Sequence, residues 1–135
     1  MSTHSTRRTI AVVVTMALLA GGCGDDDDGT QPPTACTEAV DQIHLTPGPE
    51  PRIGWEPGCG VHTLVVRNVE TSEIQWWITS PAGGFFSSPV DYAVLPGGAI
   101  GVEAPMDLVD GEEYVVVLYA DAALAQSLGS QTFTP

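Results

Sequence analysis

Tyr114 to Tyr119 reads YVVVLY, and this run constrains the fold more than any other stretch. Its centre, Val115-Val116-Val117-Leu118, is β-branched and aliphatic, which suits a strand buried on at least one face. Just upstream, Asp110-Gly111 is turn chemistry, because glycine tolerates the positive φ that ends one strand and starts another. From Cys36 to Pro135, glycine and proline recur at short intervals and no window sustains a 3.6-residue apolar period. The reading is all-β. These 100 residues are enough for one small domain.

The other expected strands are residues 43–46, 52–56, 61–69, 74–79, 90–95, 99–103 and 131–134. Pro47-Gly48-Pro49, Pro57-Gly58 and Pro96-Gly97-Gly98 separate them. Residues 80–89 (SPAGGFFSSP) are expected to form a long loop. Residues 121–128 (DAALAQSL) carry helix-forming Ala and Leu and are expected to form a single helical turn.

Leu108, Gly111 and Tyr114 are spaced Leu-x-x-Gly-x-x-Tyr. That spacing resembles the tyrosine corner of immunoglobulin-like and fibronectin type III sandwiches, where the Tyr hydroxyl returns to backbone upstream. Trp55 is similar to the buried Trp of strand B in those domains, and the terminal strand ends in Thr. The resemblance covers residues 43–135. It implies an antiparallel, immunoglobulin-like (fibronectin type III-like) β-sandwich over residues 36–135.

At the other end, Arg7 and Arg8 precede an apolar run of eleven residues, Ile10 to Ala20. A membrane-spanning helix needs about 20, so the run reads as a secretory signal. Leu18 to Cys23, LLAGGC, resembles the lipobox of bacterial lipoproteins, with Ala20 where a large aliphatic residue is usual. The resemblance implies a signal peptide over residues 1–22 and a diacylated Cys23 as the first mature residue. Gly24 in place of Asp implies the outer rather than the inner membrane. Lasting attachment takes two or more acyl chains. Residues 23–35, with four consecutive Asp flanked by Gly and Pro, form an acidic linker expected to be disordered.

Removing the signal also removes two arginines, leaving Arg52 and Arg67 against seventeen acidic residues, a formal charge of −15 with no Lys. Nucleic-acid binding needs cationic groups that release counterions and is excluded by this balance. Cys36 and Cys59 remain in an oxidising compartment and are expected to pair. WEPGC (Trp55 to Cys59), Trp76-Trp77 and the closing TFTP resemble segments of small lipoproteins of the myxobacterial type. That resemblance brings no activity with it.

No catalytic constellation is visible. His44 and His62 lie in expected strands, away from any Gly-x-Ser-x-Gly turn. Their spacing carries no metal motif, and no cofactor motif is present. Glu112-Glu113 are adjacent and point apart, while Asp107, Asp110 and Asp121 sit at strand ends. The protein reads as no enzyme.

The aromatics are more informative. In Ile74 to Thr79 (IQWWIT), alternation puts Ile74, Trp76 and Ile78 on a core face and Gln75, Trp77 and Thr79 on a polar one. Trp77 is then a contact residue, unless residues 83–88 with Phe85 and Phe86 cover it. Two functions are open. One is a protein-interaction or structural module in the envelope, centred on Trp77. The other is a polysaccharide-binding module in which Trp77, Tyr92 and Phe85 or Phe86 form a platform. A single ring in an apolar patch favours the first.

Overall fold

The computed structural model describes residues 34–135. The expected signal peptide, Cys23 and the expected linker up to residue 33 lie outside the described residues.

Eight strands follow in order: β1 (Gln42–Leu45), β2 (Arg52–Glu56), β3 (Thr63–Asn68), β4 (Ile74–Thr79), β5 (Val90–Asp91), β6 (Ile100–Glu103), β7 (Tyr114–Tyr119) and β8 (Ser127–Phe133). They form two antiparallel sheets, ordered β1-β2-β5 and β6-β4-β3-β7-β8. The sheets pack together as an all-β sandwich, with no helix among the described residues. Within the larger sheet, β7 lies between β3 and β8. After β5 the chain returns to the larger sheet, where β6 edges β4.

The YVVVLY run is paired on both sides, with β3 along its full length and with β8. Its alternate residues Tyr114, Val116 and Leu118 are all at most 1% exposed. They meet Leu64, Val66, Trp76 and Ile78 of their own sheet and Ile53, Trp55 and Val90 of the other. Each such side chain contributes about 1.5–3 kcal/mol on burial. This core holds the sandwich together.

The corner upstream of β7 is closed by hydrogen bonds. The Tyr114 hydroxyl accepts from the Val109 amide at 2.9 Å and lies 3.0 Å from Glu112 Oε2. That carboxylate also accepts from Asn68 Nδ2 at 2.7 Å. Asn68 in turn organises the β3–β4 hairpin, its Oδ1 accepting from the amides of Glu70 and Thr71. Gly111 has φ +85°, a backbone conformation that strains any side chain bearing a Cβ. Leu108 is buried beneath the corner.

Cys36 and Cys59 form a disulfide, with Cα atoms 5.0 Å apart. Pairing begins before Cys36. Ala35, assigned to the linker from sequence, makes a parallel bridge with Gly60, whose amide donates to the Thr34 carbonyl at 2.7 Å.

Other differences from expectation have local causes. Extension after Val90 stops at Asp91, because the chain turns through Ala93 at φ +65°. Residues 121–128 contain no helical turn. Asp121 caps a non-helical turn by accepting from the amides of Ala125 and Gln126 at 3.1 and 2.8 Å. Those two bonds hold its carboxyl below the usual carboxylate range. The last strand then starts at Ser127 rather than 131, and Leu128 enters the core. Val61 sits ahead of β3, bridged to Phe86.

Candidate functional site

β4 alternates as the sequence implies from Trp76 onward, but a bulge at Gln75 buries that residue and pairs Ile74 with Arg67 instead of sending it into the core. Trp76 and Ile78 enter the core, while Trp77 points to the opposite, outer face of the five-stranded sheet. Cross-strand register identifies the neighbours of Trp77. It pairs with Val65 of β3 on one side and with Glu103 of the edge strand β6 on the other, and Val65 pairs with Val117 of β7. One row along, Thr79 pairs with Thr63, which pairs with Tyr119. In the other direction Arg67 pairs with Val115. Thr79 is also paired with Ile100 of the edge strand β6. The outer face is therefore mixed: Val65, Val115 and Val117 form an apolar strip, with Thr63, Thr79, Ser130, Thr132 and Arg67 around it and the exposed Glu103 beside Trp77. No strand packs over it among the described residues. Val65 and Thr63 are nevertheless fully buried, and Trp77, Arg67, Val115, Val117 and Tyr119 are half-buried.

Two donors on this face lack acceptors. Trp77 Nε1 and Arg67 Nε are both buried and without a hydrogen-bond partner among the described residues. An unpaired buried donor costs about 1–3 kcal/mol. The other described arginine, Arg52, has Asp91 at 3.7 Å, whereas Arg67 has no ion pair among the described residues.

The expected aromatic platform is not assembled. Phe86 is 3% exposed and meets Trp55 edge-on at 6.4 Å. Tyr92 is 4% exposed, meets Trp76 edge-on at 5.2 Å, and donates its hydroxyl to the Met106 carbonyl at 2.7 Å. Burial pushes its phenol up to about 12. Both rings therefore belong to the core. Phe85 is half-buried, but its ring partner is His62 at 6.2 Å, and no aromatic pair among the described residues includes Trp77. Phe86 is drawn to Trp55 rather than over Trp77, because residues 83–88 are tied inward by the Val61–Phe86 bridge.

His44 is exposed, with Nε2 3.7 Å from Glu56. His62 is buried, its Nδ1 within 3.2 Å of the hydroxyls of Thr63 and Thr79. Those hydroxyls bond one another at 2.8 Å, and Thr63 is fully buried, so this cluster satisfies polar groups inside the fold. Glu112 is held by Asn68 and Tyr114. Among the described residues no group of three or more His, Cys, Asp and Glu is placed to hold a metal.

Sequence reasoning reached Trp77 but missed the company it keeps. Val65, Val115, Val117, Tyr119 and Arg67 join it only through cross-strand register. One signal was available: VVVL in β7 is apolar at every position, a pattern of strands covered on both faces. Comparison with protein-family models, curated proteins and solved structures gave no match.

Proposed function

We propose that the protein is a lipid-anchored envelope protein whose sandwich is a non-catalytic protein-interaction module, with the outer face of the five-stranded sheet as its contact surface. One observation carries the reading: Trp77 adjoins an apolar strip of Val65, Val115 and Val117 on a sheet face with no third layer over it among the described residues. A soluble antiparallel sheet ordinarily turns polar residues to water on its free face. A face that keeps Val65, Val115, Val117, Tyr119 and Trp77 together suits the desolvated centre of an interface, where Trp is enriched.

A protein partner fits better than a polysaccharide. The surface offers one half-buried indole between Val65 and Glu103, and the other rings of the expected platform are elsewhere. The acylated Cys23 and the acidic linker, read from sequence, supply attachment to the outer membrane and reach.

The test uses the full acylated chain in detergent, captured on beads against solubilised envelope of its own organism, beside a Trp77→Ala chain. Bound material is read by mass spectrometry and by sugar analysis. Protein recovered with the native chain and lost with Trp77→Ala supports the reading. Glycan recovered in its place, or capture indifferent to Trp77→Ala, overturns it.

A further inference from the structure

The outer edges of the two sheets are unequally protected against pairing. Strand order leaves β1 and β5 at the edges of the smaller sheet and β6 and β8 at those of the larger. Soluble proteins guard free edges by shortness, charge, proline or a bulge. β5 is two residues long, follows Pro89 and ends in Asp91. β6 is bulged against β4 and ends in the exposed Glu103, shortly before Pro105. β1 has four residues and follows Asp41. β8 has seven and carries neither charge nor proline, since no acidic residue follows Asp121. Its register shifts at its start, around Leu128.

The ladder fixes which backbone groups β8 turns outward. The Val69 amide donates to the Glu113 carbonyl, so Val115 and Val117 bond β3, while Tyr114, Val116 and Leu118 bond β8. Their partners Phe133, Gln131 and Gly129 therefore face β7, and Ser130 and Thr132 turn their N–H and C=O outward. Two carbonyls agree with this sense. That of Leu128 accepts from the Val40 amide at 2.8 Å, and that of Thr132 accepts from the Gln131 side chain at 2.9 Å. Past Leu128 the edge pairs with no strand among the described residues, and Ser130, Gln131 and Thr132 are exposed.

Charge selects the occupant. Residues 34–135 carry thirteen acidic residues against Arg52 and Arg67, a formal charge of −11. Most approaches of two copies therefore oppose like charges, but β8 against β8 does not. Antiparallel about Gln131, the outward groups of Ser130 meet those of Thr132 in the other copy, exchanging four main-chain hydrogen bonds between uncharged strands. The Gln131 side chain gives up an exposed bond that water replaces. Asp41 and His44, the latter with Glu56 at 3.7 Å, line the groove of about 310 Å³ between β1 and β8. Asp121 caps the turn before β8. Repulsion between these groups in two copies is of the kind that salt screens.

We propose that the free edge of β8 pairs with β8 of a second copy, antiparallel about Gln131, joining two five-stranded sheets into one continuous sheet. This goes beyond the reading of the outer face and does not depend on it.

The test follows the full acylated chain by analytical ultracentrifugation, with detergent in excess so that chains do not share micelles. A monomer–dimer equilibrium is expected that strengthens as salt rises, because both copies are acidic. Gln131→Cys sets two thiols across the axis, where Cα atoms lie about 4.5 Å apart, within disulfide range. Mild oxidation is expected to trap that dimer, and not the native chain or Thr71→Cys, exposed in the β3–β4 hairpin. Ser130→Pro spares the β7 ladder, because that N–H faces outward. By symmetry it removes half of the new hydrogen bonds and is expected to weaken dimerisation about tenfold or more. Thr132→Glu sets like charges diagonally across the contact, roughly 7–8 Å apart, and gives the same loss should proline disturb β8. Circular dichroism checks the fold of both variants. A chain monomeric at every concentration and salt, trapping of Thr71→Cys as efficient as that of Gln131→Cys, or dimerisation indifferent to Ser130→Pro and Thr132→Glu overturns the proposal.

Discussion

The indole Nε1 of Trp55 donates to the carbonyl of Cys59 at 2.9 Å, so the same side chain fills the core and fixes one end of the disulfide. Trp55 is 2% exposed, and Phe86 meets it edge-on. The bridge to Cys36 then clamps the start of the domain beside Gly60.

Loss of that bridge is the first test of stability. Cys36→Ala with Cys59→Ala opens a loop with a sequence separation of 23, and the chain-entropy model gives a loss of about 3 kcal/mol. Trp55→Phe keeps most of the ring volume but orphans the Cys59 carbonyl, for about 1 kcal/mol. Urea unfolding monitored by circular dichroism measures both. A disulfide-free chain as stable as the native one contradicts the clamp.

Tyr114 tests the corner. Its hydroxyl is the acceptor for the Val109 amide and a partner of Glu112, which also holds Asn68 in the β3–β4 hairpin. Tyr114→Phe leaves the ring in the core and removes only the hydroxyl, at an expected cost of about 1–2 kcal/mol. Glu112→Gln weakens the charge-assisted bond to Asn68 and is expected to act on the same network, so the two effects combine with less than their sum. Additive losses in a double-mutant cycle would show that the corner is not one unit.

How much of this was legible in the sequence depends on what each feature required. The bounds of β2 and β4 follow from β-branched and aromatic residues between turn formers, and the structure keeps them. The corner was legible because its spacing is local. The start of β8 was not, because Ser127-Leu128-Gly129-Ser130 has no strand composition. Leu128 is placed there by core burial, a tertiary effect that overrides local propensity. Alternation gave the face of Trp77, yet its polarity depends on Val65 and Val117, which register alone brings beside it. Phe86 and Tyr92 looked available because surface and core aromatics read alike in a loop.

Tyr92 makes the fold sensitive to alkaline pH. Burial raises its phenol from 10.0 to about 12, with the charge of Asp107 pushing the same way. Between those values the unfolded phenol gives up its proton while the folded one keeps it. The folded state then binds more protons, and stability falls as pH rises. This contribution is complete below the unfolded value, and its loss through the folded value amounts to about 3 kcal/mol at most. Urea midpoints at pH 9 and 11.5 (about the ends of that window) are expected to differ less in Tyr92→Phe than in the native chain. Equal pH dependence in the two chains contradicts a buried, un-ionised Tyr92.

Gly129 is required by what crosses it. A Cβ built there meets Val40 Cγ2 at 2.9 Å and Ile43 Cδ1 at 3.5 Å. The crossing is fixed, because the Val40 amide donates to the neighbouring Leu128 carbonyl at 2.8 Å. Val40 is β-branched, with little rotamer freedom to move aside. Gly129→Ala is therefore expected to cost about 1–3 kcal/mol by overpacking. The origin of that cost is separable, because Val40→Ala removes the methyl that the new Cβ strikes. In the double variant the Gly129→Ala penalty is expected to shrink, giving a coupling energy of about 0.5–3 kcal/mol that favours the pair. Thermal or urea unfolding of the four chains measures it. If the penalty is the same with and without the Val40 methyls, the contact is not its cause, and Gly129 is retained for its backbone instead.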